Sequence, residues 1–259
     1  LLGYPLDEGA QIPSVINGTE GLVPVLIAGA GMRAAATTEG SIVANLPATA
    51  DAVGGPQLPL TNDPGAISTT RSSVVVYGTL GEEITLDVHF AKTATTGEWQ
   101  MVVYNSADRA AGGGFPYATG ALASTTLTFD ANGQPTGPVA LTVPVPGGEN
   151  LVLDISRMSQ VAGDYTVELV DTNGSAPSRV QSIEIAPDGT LYEVYENGSR
   201  RAAYAIPLAT VNSPDRLTPQ AGNVYLPSNG SGDMRIGRAG SSGLGSLASG
   251  ALESSTVDL

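Results

Sequence analysis

Cysteine is absent from the 259 residues, which excludes disulfides, thiolate nucleophiles and any Cys-based zinc site. Histidine, tryptophan and lysine occur once each, as His89, Trp99 and Lys92. Only 11 Lys and Arg stand against 25 Asp and Glu, a formal charge of -14. Such a surface repels phosphate backbones and anionic membranes, so neither nucleic acid nor a membrane is an expected partner. No apolar run approaches the roughly 18 residues of a membrane span. The longest candidate, LVPVLIAGA from Leu22 to Ala30, is broken by Pro24 and by glycine. An initiator Met and a signal-peptide pattern are also absent, which reads as a missing natural N-terminus.

Helical periodicity is nearly missing, and short β-rich runs bounded by Gly, Pro, Asn and Asp take its place. Charged residues make up 14% of the chain against 41% hydrophobic, while 33 Gly and 18 Pro supply about a fifth of it. That balance belongs to loop-rich all-β proteins outside the cell. Runs at residues 73–77, 83–90, 99–104, 125–129, 141–145, 151–155 and 165–170 recur with turn signals between them, as in a sandwich or barrel. A later group at 183–185, 191–195 and 203–208 is joined by Asp188-Gly189 and Asn197-Gly198, strong hairpin signals, and predicts a three-stranded meander. Linker-like composition at Asn45–Pro56 and Asp171–Ser178 encloses the longest series of strands. The middle therefore reads as an inserted domain.

Residues able to carry chemistry are few. His89 lies inside an alternating strand with no G-x-S-x-G elbow in the chain, and is expected to be an exposed strand position rather than a catalytic base. Asp87, Glu98 and Asp154 are the carboxylates a glycosidase would need, but their spacing singles none of them out. The oxygen-rich stretches NGSGD at Asn229–Asp233 and DTNG at Asp171–Gly174 miss the calcium-loop pattern and read as turns. Asn17, Asn173, Asn197 and Asn229 each open an N-x-S/T triplet, and each is also Asn-Gly, so turn chemistry accounts for them. Trp99 with Tyr77 and Tyr104 would make a sugar-stacking face in a carbohydrate-binding module or adhesin; the competing expectation is that Trp99 anchors a core. No catalytic residue, metal ligand or cofactor is expected.

The two ends carry a resemblance. LLGYPLDEG at Leu1–Gly9 resembles the segment with which flagellar hook proteins enter their first globular domain. DGTLYEVYENG, then IPLATVNSPDRLTPQAGNVYLPSNGSG, then GALESSTVDL is similar to the C-terminal pattern of flagellar axial proteins in its hook version. Between them, VVVYGTLGEEITLDVHFAKTATTGEWQMVVY resembles the family's outer domain, with Gly78 where Asp is usual. The resemblance implies a structural subunit of a self-assembling tube that joins the rotary motor to the filament as a universal joint. It implies export by the flagellar type III route, a location outside the cell, and as partners other copies of the subunit, the hook cap, the rod and the hook-filament junction proteins.

The same resemblance implies two β domains: a discontinuous inner one at residues 1–46 plus 179–259, and an outer β-barrel or sandwich inserted at 47–178. The joint between them is expected at Asn45, Leu46 and Pro47 and at Asn173, Gly174 and Pro177. A subunit interface is expected on the apolar loop at Leu22, Val23, Pro24, Leu26, Met32 and Arg33, with packing inside its own domain as the alternative. Ser255 and Asp258 form a capping-box-like pattern at the very end of the sequence. It reads as the start of a terminal helix that lies beyond Leu259, and a chain without such helices is expected to be monomeric.

Overall fold

Alternation builds the larger part of the molecule. In the strands Thr70–Tyr77, Glu83–Lys92 and Glu98–Asn105, large apolar side chains recur two apart: Val74 and Val76, then Leu86, Val88 and Phe90, then Trp99, Met101 and Val103. Side chains two apart share one face of a strand, so these eight meet on one side of the sheet, where all are buried. The computed structural model describes residues 1–6, 19–26, 32–222, 224–241 and 243–250, and shows an all-β protein. Asn17, Ser255 and Asp258 lie outside the described residues.

The chain forms two compact units, Arg33–Ser178 and Leu1–Met32 with Arg179–Leu259. In the first, the three strands above and Ala123–Thr128 make a four-stranded antiparallel meander. A second sheet is centred on Glu39–Pro47. Thr166–Thr172 pairs antiparallel on one side of it, while Asn150–Asp154 and Ser159–Val161 run parallel on the other. Ala140–Pro144 extends that sheet antiparallel to Asn150–Asp154. Ile42, Ala44 and Leu46 meet Leu151, Leu153 and the inner face of the meander in one continuous core.

This placement corrects the expected joint. Asn45, Leu46 and Pro47 are not linker residues, because they sit in the central strand: Leu46 is 0% exposed. Asn45 points to the other face, where its Oδ1 accepts from Val161 N at 2.9 Å and its Nδ2 donates to Asp164 O at 3.2 Å. The unit boundary falls after Met32, fourteen residues before the expected one at Leu46, since the strand from Glu39 has all its partners in the barrel-like unit. The other unit boundary falls between Ser178 and Arg179. There the strands that carry the chain in and out, Arg33–Ala35 and Ser175–Ser178, pair antiparallel with each other.

The other unit has a five-stranded sheet in the order Val180–Ile185, Thr190–Tyr195, Arg200–Ala205, Leu2–Pro5, Val23–Pro24. Its first three strands are the meander that the two Gly turns predict. Gly189 and Gly198 both take positive φ, and a Cβ at Gly189 would overlap the Ile206 carbonyl. Two small hairpin-like pairs follow, Pro207–Thr210 with Arg235–Arg238 and Thr218–Gln220 with Val224–Leu226. The core is modest: Leu191, Ala203 and Ile206 form one cluster, Tyr4, Leu6 and Ala205 another.

Candidate functional site

The face of the meander opposite its core is not a solvent face. Asp87 and His89 fall on it because Leu86, Val88 and Phe90 take the other side, and it also receives Ser73 and Arg71 from one neighbour and Val102 and Tyr104 from the other. Two pieces of chain cover it. The short 3-10 turn Pro59–Thr61 accepts the Tyr104 hydroxyl at Pro59 O, 2.7 Å. The segment Ser106–Leu122 lays Phe115 and Tyr117 across the strands, with Tyr117 stacked on Tyr104 at 4.3 Å between ring centroids. Asn62 holds the two together: its Oδ1 accepts from Tyr117 N at 2.8 Å and its Nδ2 donates to Tyr117 O at 2.9 Å.

Beneath that cover lies a buried polar network. The Asp87 carboxylate, 0% exposed, accepts from Arg109 Nε at 2.9 Å and from Arg109 Nη2 at 2.6 Å, from the Tyr117 hydroxyl at 2.6 Å and from Ser73 Oγ at 3.1 Å. Burial alone would raise this carboxyl, but the Arg109 and Tyr117 hydrogen bonds and the guanidinium charge outweigh it and hold it below the usual carboxylate range. Tyr117 spends its one proton on Asp87, so His89 Nε2, 2.8 Å away, must donate to it. That fixes the tautomer, and Nδ1 accepts from the Ser68 hydroxyl at 3.1 Å. Burial pushes His89 down to about 4, against the pull of Asp87 and with help from Arg71 and Arg109. Tyr117 is pushed up to about 12 by burial and by Asp87.

The cluster fastens the covering segment to the sheet. A general base works best with a pKa near the operating pH, and an imidazole at about 4 is far from it. Tyr117 also separates the carboxylate from the imidazole, so the carboxylate-to-imidazole hydrogen bond of a catalytic triad is not made. His89 is thus 2% exposed rather than on the surface as expected, because a distant loop covers the strand's second face. The other two carboxylates are elsewhere: Glu98 accepts from Thr93 Oγ1 at 3.0 Å and Asp154 from Ser156 N at 2.8 Å. Among the described residues no group of three or more His, Asp or Glu could hold a metal ion.

Trp99 is 0% exposed in the core, and Tyr104 lies on the opposite face of the same strand, so these two cannot share a sugar-stacking surface. Of the expected interface residues, Leu26 is 71% exposed and Met32 59%, with Val23, Pro24 and Arg33 also exposed, whereas Leu22 packs against Tyr4, Leu6 and Ala205. Asn173 and Gly174 form the turn after Thr166–Thr172. Asn173 Oδ1 accepts from Thr38 N and Glu39 N at 2.9 and 3.0 Å, and a Cβ on Gly174 would overlap the Thr37 side chain. Pro177 packs beside Gly81, whose own Cβ would come within 2.6 Å of it. Sequence reasoning missed Arg109, Tyr117 and Asn62; the available signal was Asp87 and His89 two residues apart on one strand face.

Two β units, one of them a barrel-like body lying in the chain between the two segments of the other, with the polar cluster spent on packing, define a class of structural β protein. Residues 45–175 match the family model described as flagellar basal body protein FlaE D2 domain, and the chain belongs to that family. It is similar over its whole length to the flagellar hook protein FlgE of Brucella abortus biovar 1 (strain 9-941), 38% identical over 264 residues and covering 60% of that protein. The FlgE hook protein of Rhizobium meliloti (strain 1021) is 36% identical with 61% covered, and that of Salmonella typhimurium 31% with 63% covered. The chain thus spans about three-fifths of the length of these relatives. Among solved structures, the crystal structure of Helicobacter pylori flagellar hook protein FlgE2 aligns with 64% of this chain and 38% of its own, at 15% identity and a TM-score of 0.43.

Proposed function

We propose that this chain is the globular part of a flagellar hook subunit: a structural protein, with no catalytic role, that self-assembles into the hook outside the cell after type III export. The observation that carries the proposal is that similarity to hook proteins runs through all of the chain, both units included. Its inner domain is discontinuous, built from the two ends, with the outer β domain inserted, and its partners in the assembled organelle are other copies, the hook cap, the rod and the hook-filament junction proteins. The buried polar network supports a rigid-body role, since it spends Asp87, Arg109, Tyr117 and His89 on fastening a loop to a sheet.

Leu26, Met32 and Val23, all exposed, serve as a contact to a neighbouring subunit. The test uses the complete protein that carries this chain, expressed in a cell lacking its own hook subunit. Hook tubes seen by electron microscopy are expected for the unaltered protein, and few or none for Leu26→Asp with Met32→Asp. The double variant is expected to keep its far-ultraviolet dichroism and melting temperature. Loss of folding would instead place these side chains in their own domain, and absence of tubes from the unaltered protein even with its cap protein would refute the function.

A further inference from the structure

We propose that the segment Ser106–Leu122 is an acid-releasable strap: closed over the outer face of the meander at neutral pH, and freed from it by protonation of the groups beneath while the core of the unit stays folded. The argument rests on what fastens it. Few backbone bonds tie it down, among them Ala118 N to Asp108 O at 2.7 Å, within the segment itself, and Leu122 N to Val103 O at 2.8 Å. Around Ala111 and Gly112–Gly114 the segment is solvent-exposed, and Cβ atoms added at the three glycines would meet nothing. Its inner surface is instead held by side chains: Arg109 and Tyr117 on Asp87, Tyr117 on His89, and Tyr117 backbone on Asn62. The fastening therefore combines the Asn62 amide and the packing of Phe115 and Tyr117 on Val102 and Tyr104 with two buried groups, Asp87 and His89, that titrate.

Every charged or titratable group facing His89 can be named. Asp87 is on its own strand, Arg71 on Thr70–Tyr77, Tyr104 on Glu98–Asn105, and Arg109 and Tyr117 on the strap itself. Asp87 is the one anion among these groups and is already paired with Arg109, while Arg71 and Arg109 both oppose a positive charge on His89. Closed, His89 titrates at about 4; released into water it returns toward 6.5. The open form then binds a proton that the closed form refuses, so closure is complete above pH 6.5 and weakens as pH falls toward 4. Between pH 6.5 and 4 the closed-to-open ratio drops roughly 80-fold. Asp87 acts in the next window: its carboxyl is held low in the closed form, so closure loses its contribution as the pH falls below the ordinary carboxylate value of 3.8. Both titrations push the same way in succession.

The absence of cysteine makes the test clean. Ala111→Cys in the exposed bend takes a single nitroxide label, whose mobility is read by electron paramagnetic resonance from pH 7.5 to 3.5. Trp99 emission, read in parallel, reports the core. The label is expected to loosen between pH 6.5 and 4, before the emission shifts, and His89→Gln is expected to remove the loosening from that window. Arg109→Ala, which cuts the guanidinium clamp, is expected to give a mobile label already at pH 7. The proposal is overturned if the label stays immobile until Trp99 reports loss of the core, if His89→Gln follows the unaltered protein through the same window, or if Arg109→Ala leaves the label immobile at pH 7.

Discussion

Replacing Leu46 by Ala tests the strand that composition hid. Leu46 lies between Asn45 and Pro47, in a stretch whose residues resemble a linker, yet its side chain is fully buried among the core of the Arg33–Ser178 unit. Were it a flexible joint, truncation would cost a few tenths of a kcal/mol at most. In a close-packed core the removed methyl groups take their transfer free energy with them and leave a cavity, and comparable Leu→Ala changes cost about 3–5 kcal/mol. The central position argues for the middle of that range. Glu39–Pro47 is paired on both sides, so its backbone has little freedom to collapse into the space.

The single tryptophan makes this measurable. Trp99 belongs to the same core and to no other, so its emission during urea or thermal unfolding reports this unit. A loss of about 4 kcal/mol lowers the midpoint by about 10 °C for a unit of this size. Leu191→Ala, in the core of the other unit, is the control, and it is expected to leave the Trp99 transition in place. A Leu46→Ala protein whose Trp99 transition moves by less than about 1 kcal/mol would refute the assignment of this strand to the barrel-like unit.

Two ion pairs give opposite expectations. Removing Arg109 strands a fully buried Asp87 with only two hydroxyl donors, so Arg109→Ala is expected to cost about 2–4 kcal/mol in the Trp99-monitored unfolding free energy. Arg238→Ala breaks a 2.5 Å pair with Asp188 whose partners are both more than 40% exposed, and is expected to change the melting temperature by no more than the equivalent of about 1 kcal/mol. Gly174→Ala forces a Cβ onto Thr37, and is expected to destabilise the Arg33–Ser178 unit by about 1–3 kcal/mol; a neutral result by urea titration would mean that this turn is a free linker after all.

Much of the architecture was legible because its signals are local. Alternation at Ile84, Leu86, Val88 and Phe90 marks a strand without knowledge of its partners, and Asp188-Gly189 and Asn197-Gly198 mark hairpins within a few residues. What stayed hidden depends on residues far along the chain. Glu39–Pro47 contains a glycine, a proline and an alanine, and its register is set by Val161 and by Val170, more than a hundred residues later. His89 sits on a face that pattern alone assigns to solvent. Only the distant Pro59–Thr61 turn and the segment bearing Phe115 and Tyr117 turn that face into an interior. Near the Ser178–Arg179 boundary, pattern alone does not show that Gly174 closes on Thr37 or that Pro177 lies beside Gly81, because residues that punctuate linkers also permit close backbone approach.

A subunit of the proposed kind must avoid other modes of assembly, and the sheet edges limit strand pairing. The four-stranded meander and the Glu39–Pro47 sheet share one core, and Thr172 Oγ1 bonds Val75 O at 3.3 Å where the outer strand of one sheet passes the edge of the other. An edge engaged in this way offers fewer free groups to a foreign strand. In the other unit the sheet ends on Val23–Pro24, two residues long, where proline withholds the amide a further strand would need. Its opposite end, Val180–Ile185, turns Gln181, Ser182 and Glu184 to solvent, so a copy pairing there would bring like charges together. A net charge of -14 spread over both units adds a general repulsion. If copies meet through Leu26 and Met32, as proposed, that contact can be made and broken without unzipping a backbone ladder.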